Sequence, residues 1–192
     1  MIPSVISVSK TGKEGLDLLS YDFTKNRKIY LFSEITDEIA MEIIAQLEYP
    51  DSNGTEDIKI YINSPGGSVS AGFAIVDAIK RCRCGVSTIC TGMAASMGAF
   101  ILSCGKKGKR YATPLSEIMI HQPLGGAQGQ ASDIQLAAEH ITKVKNRLHR
   151  ILSENTGQNI KTISQDCDRD FWMDSNEALK YGIVDGIINK PI

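Results

Sequence analysis

The chain has 192 residues, 42% of them hydrophobic, and balances 21 Lys+Arg against 22 Asp+Glu for a formal net charge of -1. At roughly 100–200 residues per domain, that is the length of a single domain, with enough apolar content for a core and too much for a disordered or fibrous chain. The charge balance excludes electrostatic recruitment to nucleic acid or to an acidic membrane surface, and these 192 residues leave no room for a catalytic domain plus a nucleotide-driven motor.

The first residues do not combine a basic stretch, an apolar stretch and a small-residue cleavage site, so no secretory signal is read there. No apolar run reaches the roughly 18–20 residues that cross a bilayer. Cys82, Cys84, Cys90, Cys104 and Cys167 form neither an even disulfide set nor a CxxC pair, and Cys82-Arg83-Cys84 has no neighbouring cluster to complete a metal site. Cys90 and Cys104 lie in apolar runs and read as small core residues. Free thiols, a reducing cytoplasmic setting and no metal or cofactor are therefore expected. Asn53-Gly54-Thr55 matches a glycosylation acceptor but reads as a turn.

In chain order, Lys28–Phe32 is a β-prone run, and Thr36 caps an amphipathic helix through about Leu47. Ile58–Ile62 alternates as a strand and breaks at Asn63-Ser64-Pro65-Gly66-Gly67. Ser68–Arg81 is helical, Val86–Cys90 is a strand, and Ala95–Cys104 is an apolar helix entered through small residues. Lys106-Lys107-Gly108-Lys109-Arg110 reads as a solvated loop. Glu117–His121 is a further strand, closed by Gln122-Pro123-Leu124-Gly125-Gly126. This alternation predicts an α/β protein with parallel crossovers, built as a superhelical stack of βα units about 28 residues apart rather than one flat sheet. Gly125–Gln130 reads as a link into a long helix from Ser132, the expected N-cap, to Gly157, the expected stop. Its apolar seam, Ile134, Ala137, Ile141, Val144, Leu148 and Ile151, serves either its own domain's core or another subunit. His140 and His149 lie off that seam and are expected in solvent. A short helix ending near Gly182 and a strand over Ile183–Ile188 complete the chain.

No GxxxxGK[ST], GxGxxG, HExxH or EF-hand pattern occurs. Thr91-Gly92-Met93-Ala94-Ala95-Ser96-Met97-Gly98-Ala99 places a serine after a strand, among small residues, at the start of a helix. Free N–H groups there stabilise negative charge, so Ser96 is either a nucleophile facing a developing oxyanion or a packed N-cap. His121 ends an apolar strand before a Pro-Gly break, where a ring opens toward a cleft as a general base would, although lone histidines are commonly structural. If strands Val86–Cys90 and Glu117–His121 are neighbours, Ser96 and His121 share one sheet edge. For an orienting acid, Asp166, Asp168, Asp170, Asp174 and Asp133 are equivalent on these grounds. In Asn63-Ser64-Pro65-Gly66-Gly67-Ser68, paired glycines make either an ordinary βα turn or a loop that offers backbone N–H groups to a ligand.

Ile60–Val69, Gly92–Ala99, Met119–Gly126, Asp168–Met173 and Glu177–Asp185, in this order, resemble the ClpP family, the proteolytic subunits of Clp ATP-dependent proteases. The resemblance runs from about residue 28 to the end. It implies a ClpP/crotonase-like fold with a protruding handle over residues 122–157, within a protease domain of residues 28–192, preceded by an axial gating segment of residues 1–27. It implies Ser96 as nucleophile, His121 as general base, Asp170 as orienting acid, and the backbone N–H groups of Gly67 and Met97 as the oxyanion hole. Ser68, Val69, Leu124, Gly125 and Gly126 are the implied substrate-binding residues, holding unfolded polypeptide as an added strand. The implied partners are other copies, in two stacked heptameric rings, and an AAA+ Clp ATPase of the ClpX, ClpA or ClpC type. The stretch Glu14–Asp22 departs from the family, with Glu14 and Tyr21 where arginines are common and Leu16 and Leu19 where tyrosines are common. That departure bears on gating and on pairing with a paralogue. Two alternatives stand beside this reading: a catalytically silent ring subunit, and an acyl-CoA enzyme of the crotonase type.

Overall fold

The computed structural model of the chain describes residues 2–9, 12–52 and 54–190. Asn53, on which the Asn-Gly-Thr turn rests, and the side chain of Glu14 lie outside what is described. A hairpin of β1 (Ser4–Ser9) and β2 (Gly12–Asp17) leads into α1 (Leu18–Asn26). β3 (Lys28–Leu31), α2 (Asp37–Ser52), β4 (Ile58–Ser64), α3 (Val69–Arg81), β5 (Val86–Ala95) and α4 (Met97–Ser103) follow as alternating strands and helices. Then come β6 (Arg110–Ala112), β7 (Glu117–Ile120), the long α5 (Ala131–Thr156), α6 (Ile160–Asp166), β8 (Phe171–Asp174), α7 (Ser175–Tyr181) and β9 (Gly186–Ile187).

Strand alternation explains the sheet. Ile58, Ile60 and Ile62 are fully buried while Lys59 and Tyr61 are only partly covered, and β3 repeats the pattern with Ile29 and Leu31. Fully burying each such side chain contributes about 1.5–3 kcal/mol. β3, β4 and β5 pair in parallel, with Ile29 opposite Ile60 and Ile60 opposite Thr88. α2 and α3 start on side-chain caps: Thr36 Oγ1 accepts from Ile39 N–H at 3.3 Å, and Ser68 Oγ from Ala71 N–H at 3.3 Å.

The sheet has seven strands, in the order β3-β4-β5-β6-β9, with β7 also paired to β5 and β8 paired to β7. Only β7–β8 is antiparallel, so this is the expected mixed α/β fold on a mostly parallel sheet. The branch at β5 keeps it from being one flat sheet: Thr88–Cys90 pair with β6, whereas Met93–Ala95 pair with β7. Beyond Cys90, where the sequence predicts its end, the strand runs on to Ala95. Gly92, at φ +86°, bends it there, and Asn63 Oδ1 accepts from Met93 N–H at 3.1 Å to re-attach it to the β4 side.

Four further expectations are corrected. The basic cluster is not wholly a solvated loop: it runs into β6, where Arg110 is 1% exposed. Its guanidinium grips Asp185 through Nε at 2.8 Å and Nη2 at 2.5 Å, and donates to the carbonyl of Asn155 at 2.9 Å. The long helix begins at Ala131, not after a Ser132 cap, because the Gln130 carbonyl already accepts from the N–H groups of Asp133 and Ile134. It ends as expected at Gly157, whose φ of +82° suits glycine. His149 is 4% exposed rather than in solvent, because the C-terminal part of α5 packs on α4 and α6. Its Nε2 has no partner among the described residues, and burial pushes its imidazole below the ordinary value. The last strand is reduced to Gly186–Ile187. The five cysteines are free, and burial pushes the thiols of Cys82 and Cys90 up to about 11.

The Arg110–Asp185 pair joins β6, the end of α5 and the approach to β9. Burial raises the Asp185 carboxyl, but the hydrogen bonds and charge of Arg110 outweigh that and hold it below its ordinary value. A depressed carboxyl stabilises the fold above the unfolded-state value and loses that contribution as pH falls through the folded-state value. Asp185→Asn leaves the guanidinium buried without a counter-charge and is expected to cost about 3 kcal/mol at neutral pH. Urea denaturation across pH checks this: the curves for variant and parent should converge in acid, and equal stability at neutral pH would contradict it.

Candidate active site

Ser96 sits at the turn from β5 into α4 with φ +55° and ψ -119°, a region a non-glycine residue occupies only when its surroundings impose it. Its N–H donates to the Met119 carbonyl at 2.8 Å, closing the β5–β7 ladder. Its side chain does not cap α4. Freed from capping, the hydroxyl lies 2.8 Å from His121 Nε2. The sharp turn needs small residues on both sides, and Ala94, Ala95 and Gly98 supply them; a Cβ on Gly98 would lie 3.0 Å from the Ser64 carbonyl oxygen. The chain thus achieves the strained strand–serine–helix corner without the GxSxG pattern.

His121 follows β7 directly, and Nδ1 lies 2.9 Å from Asp170 Oδ1. An ionised carboxylate only accepts, so Nδ1 carries the proton and Nε2 is left to accept from Ser96 Oγ–H. The imidazole is largely buried, at 15% exposure, whereas the Asp170 side chain is 61% exposed. Of the other acids, Asp166 accepts from the Tyr181 hydroxyl at 2.7 Å, and Asp174 caps α7 in a capping box with Glu177. Asp133 lies in the first turn of α5, and Asp168 faces Gln122.

Sequence reasoning missed Gln122. Its N–H donates to the Cys167 carbonyl at 2.6 Å, its amide donates to the Asp168 carbonyl at 2.9 Å, and its Oε1 accepts from Lys145 Nζ at 2.8 Å. The residue after His121 therefore ties the loop carrying Asp170 to both β7 and α5. A polar side chain next to a strand-end histidine was the only sequence signal for it.

The glycine turn presses on the serine corner. A Cβ on Gly66, at φ +96°, would lie 2.7 Å from Ser96 Cβ and 3.0 Å from Met97 N; one on Gly67, at φ +144°, would lie 2.4 Å from the Ile35 carbonyl oxygen. Neither the Gly67 nor the Met97 N–H has an acceptor among the described residues. Ser68 is engaged within the protein, its N–H donating to the Ile35 carbonyl at 2.8 Å and its own carbonyl accepting from Gly72. Leu124, Gly125 and Gly126 are exposed and outside regular structure, with Leu124 at 85%.

Beside Ser96 and His121 is a small apolar pocket of about 20 Å³, walled by Val69, Met97, Phe100, Ile120, Leu148 and Leu152. A larger open cleft of about 660 Å³, on the half-exposed sheet face with Tyr30, Tyr61, Ile89 and Leu115, shares no residue with it. Among the described residues no group of three or more His, Cys, Asp or Glu could hold a metal ion.

The fold and this edge define a class: a parallel α/β scaffold on which a serine, a histidine and an aspartate form one hydrogen-bonded row. The family model described as Clp protease matches residues 11–191, so the chain belongs to the Clp protease family, a family of serine peptidases. The match begins well ahead of residue 28, where the sequence motifs set the start of the resemblance, and takes in most of the N-terminal segment. No helix among the described residues is long and apolar enough to cross a membrane.

Gly66→Ala is expected to reduce peptidase activity by at least about a hundredfold, because a misplacement near 1 Å at a reacting group costs that much. Peptide turnover alongside circular dichroism checks this, and full activity in the folded variant would contradict it.

Proposed function

We propose that the chain is a serine endopeptidase that works inside a closed oligomer. The observation that carries this reading is the unbroken row Ser96 Oγ–His121 Nε2 at 2.8 Å and His121 Nδ1–Asp170 Oδ1 at 2.9 Å, with a serine whose backbone strain keeps its hydroxyl exposed to the imidazole. Ser96 Oγ attacks the scissile carbonyl carbon while His121 Nε2 takes its proton. The carbonyl oxygen becomes an oxyanion facing the N–H groups of Gly67 and Met97. His121 then gives the proton to the leaving amine as the C–N bond breaks, forming an ester to Ser96. Water attacks that ester with His121 again as base, releasing the acid and restoring the hydroxyl. Asp170 holds the imidazole in the required tautomer and stabilises its charged form.

The residue whose carbonyl is attacked places its side chain in the pocket of Val69, Phe100 and Leu148, which favours an apolar group. The exposed segment Leu124–Gly126 and the turn Gly67–Val69 hold the substrate backbone as an added strand, which reads little sequence and suits unfolded polypeptide. Assembly into two stacked heptameric rings through α5 is supported by that helix's N-terminal half, where Ile134 and Leu136 are 44% and 64% exposed. A separate AAA+ Clp ATPase would feed such a chamber, and the N-terminal hairpin and α1 would form its entrance. A cytoplasmic, cofactor-free enzyme fits this reading.

Ser96→Ala is expected to abolish peptide hydrolysis, and Asp170→Asn to lower kcat by about 10⁴ through the wrong imidazole tautomer. Turnover of a fluorogenic peptide, with light scattering to record the assembled mass, checks both. Undiminished hydrolysis in Ser96→Ala would overturn the assignment.

A further inference from the structure

Gly72 is a glycine inside a helix, where alanine would be more favourable by up to about 1 kcal/mol. Its conformation does not require glycine, since its own φ lies outside the left-handed region. What the missing side chain makes possible is a contact. The Met97 side chain fills the space, so a Cβ on Gly72 would lie 2.3 Å from Met97 Cγ, 2.4 Å from Cε and 2.9 Å from Sδ. Met97 is itself 3% exposed and walls the pocket beside Ser96.

We infer that Gly72 is a specificity-determining residue, setting the size of the side chain admitted next to the scissile bond by giving Met97 room to lie back against α3. This rests on the reading of the Ser96 pocket given above. The pocket holds about 20 Å³, little more than one water needs, so the position of each wall decides what enters. Val69, Ile120, Leu148 and Leu152 are branched and Phe100 is a ring, held from behind by Phe73 in an edge-to-face contact at 5.8 Å. Met97 is the unbranched wall with three rotatable bonds, the one that yields at least cost. A methyl group at position 72 has no free volume of its own in a close-packed interior. It pushes the thioether forward, and the free space that this side chain lines is the pocket. The Met97 backbone, anchored at the start of α4, stays where the reacting carbonyl needs it.

The test is kcat/KM on fluorogenic peptides with Ala, Leu or Phe before the scissile bond, for the parent, Gly72→Ala, Met97→Ala and the double variant. Gly72→Ala is expected to lower the Leu:Ala and Phe:Ala ratios by at least about tenfold while hydrolysis of the Ala peptide persists, the loss expected when a pocket sheds a few methylenes of contact. Met97→Ala is expected to raise the Phe:Ala ratio, and the double variant to recover large side chains. Ratios unchanged by Gly72→Ala, or all three peptides falling in parallel without recovery in the double variant, overturn the inference. A Ser96→Ala control separates the two levels: hydrolysis surviving there removes the pocket reading itself, whereas a flat Gly72→Ala profile with Ser96-dependent turnover removes only the role of Gly72.

Discussion

The N–H of Ser96 donates to the carbonyl of Met119 at 2.8 Å, the last rung between β5 and β7. Parallel pairing sets Ala95 opposite Met119, so the next residue of one strand turns sharply just as the other strand has one residue, Ile120, left before His121. Register alone therefore brings the serine and the imidazole together. It works only because β5 passes Cys90 with a bend at Gly92 and ends among residues small enough to turn without collision. Gly66 packs against the same corner, where a Cβ would lie 2.7 Å from Ser96 Cβ and 3.0 Å from the Met97 nitrogen.

Burial and exposure divide the work between these groups. Ser96 and His121 are fixed by a ladder and a core, whereas Asp170 stands on an exposed loop and depends on directed hydrogen bonds. Gln122 supplies them at one remove, joining the Asp168 carbonyl, the Cys167 carbonyl and Lys145 of α5. The position of Asp170 thus depends on α5 through Gln122, while those of Ser96 and His121 do not. The deep Arg110–Asp185 pair performs the matching structural task at the other side, clamping the end of α5 to β6.

Much of the fold was legible because hydrophobic period and turn chemistry agree: β3, β4, α3, α4 and β7 fall where alternation, Ser68 and the glycine breaks put them. The sequence pattern ends the strand at Cys90, yet β5 continues, because a bent strand can be re-attached by a distant side chain, Asn63, that local pattern does not contain. β6, β8 and β9 are two to four residues long, too short for period to speak, and they exist through partners far along the chain. Arg110 and His149 look like surface residues by type; one is buried by a carboxylate 75 positions away and the other by the packing of α5. Ser96 and His121 could be singled out from strand ends. Asp170 could not be chosen among its neighbours from the residues alone, since what separates it from Asp166 and Asp174 is three-dimensional: the others are committed to Tyr181 and to the cap of α7.

The central claim is that Ser96 is a nucleophile made reactive by His121. Treatment of the assembled protein with a fluorophosphonate, followed by peptide mapping by mass spectrometry, tests it directly. One adduct per chain located on Ser96, and lost when His121 is replaced by alanine, is the predicted result. An unlabelled Ser96 in the folded, assembled protein, or labelling that persists without the imidazole, would contradict the account.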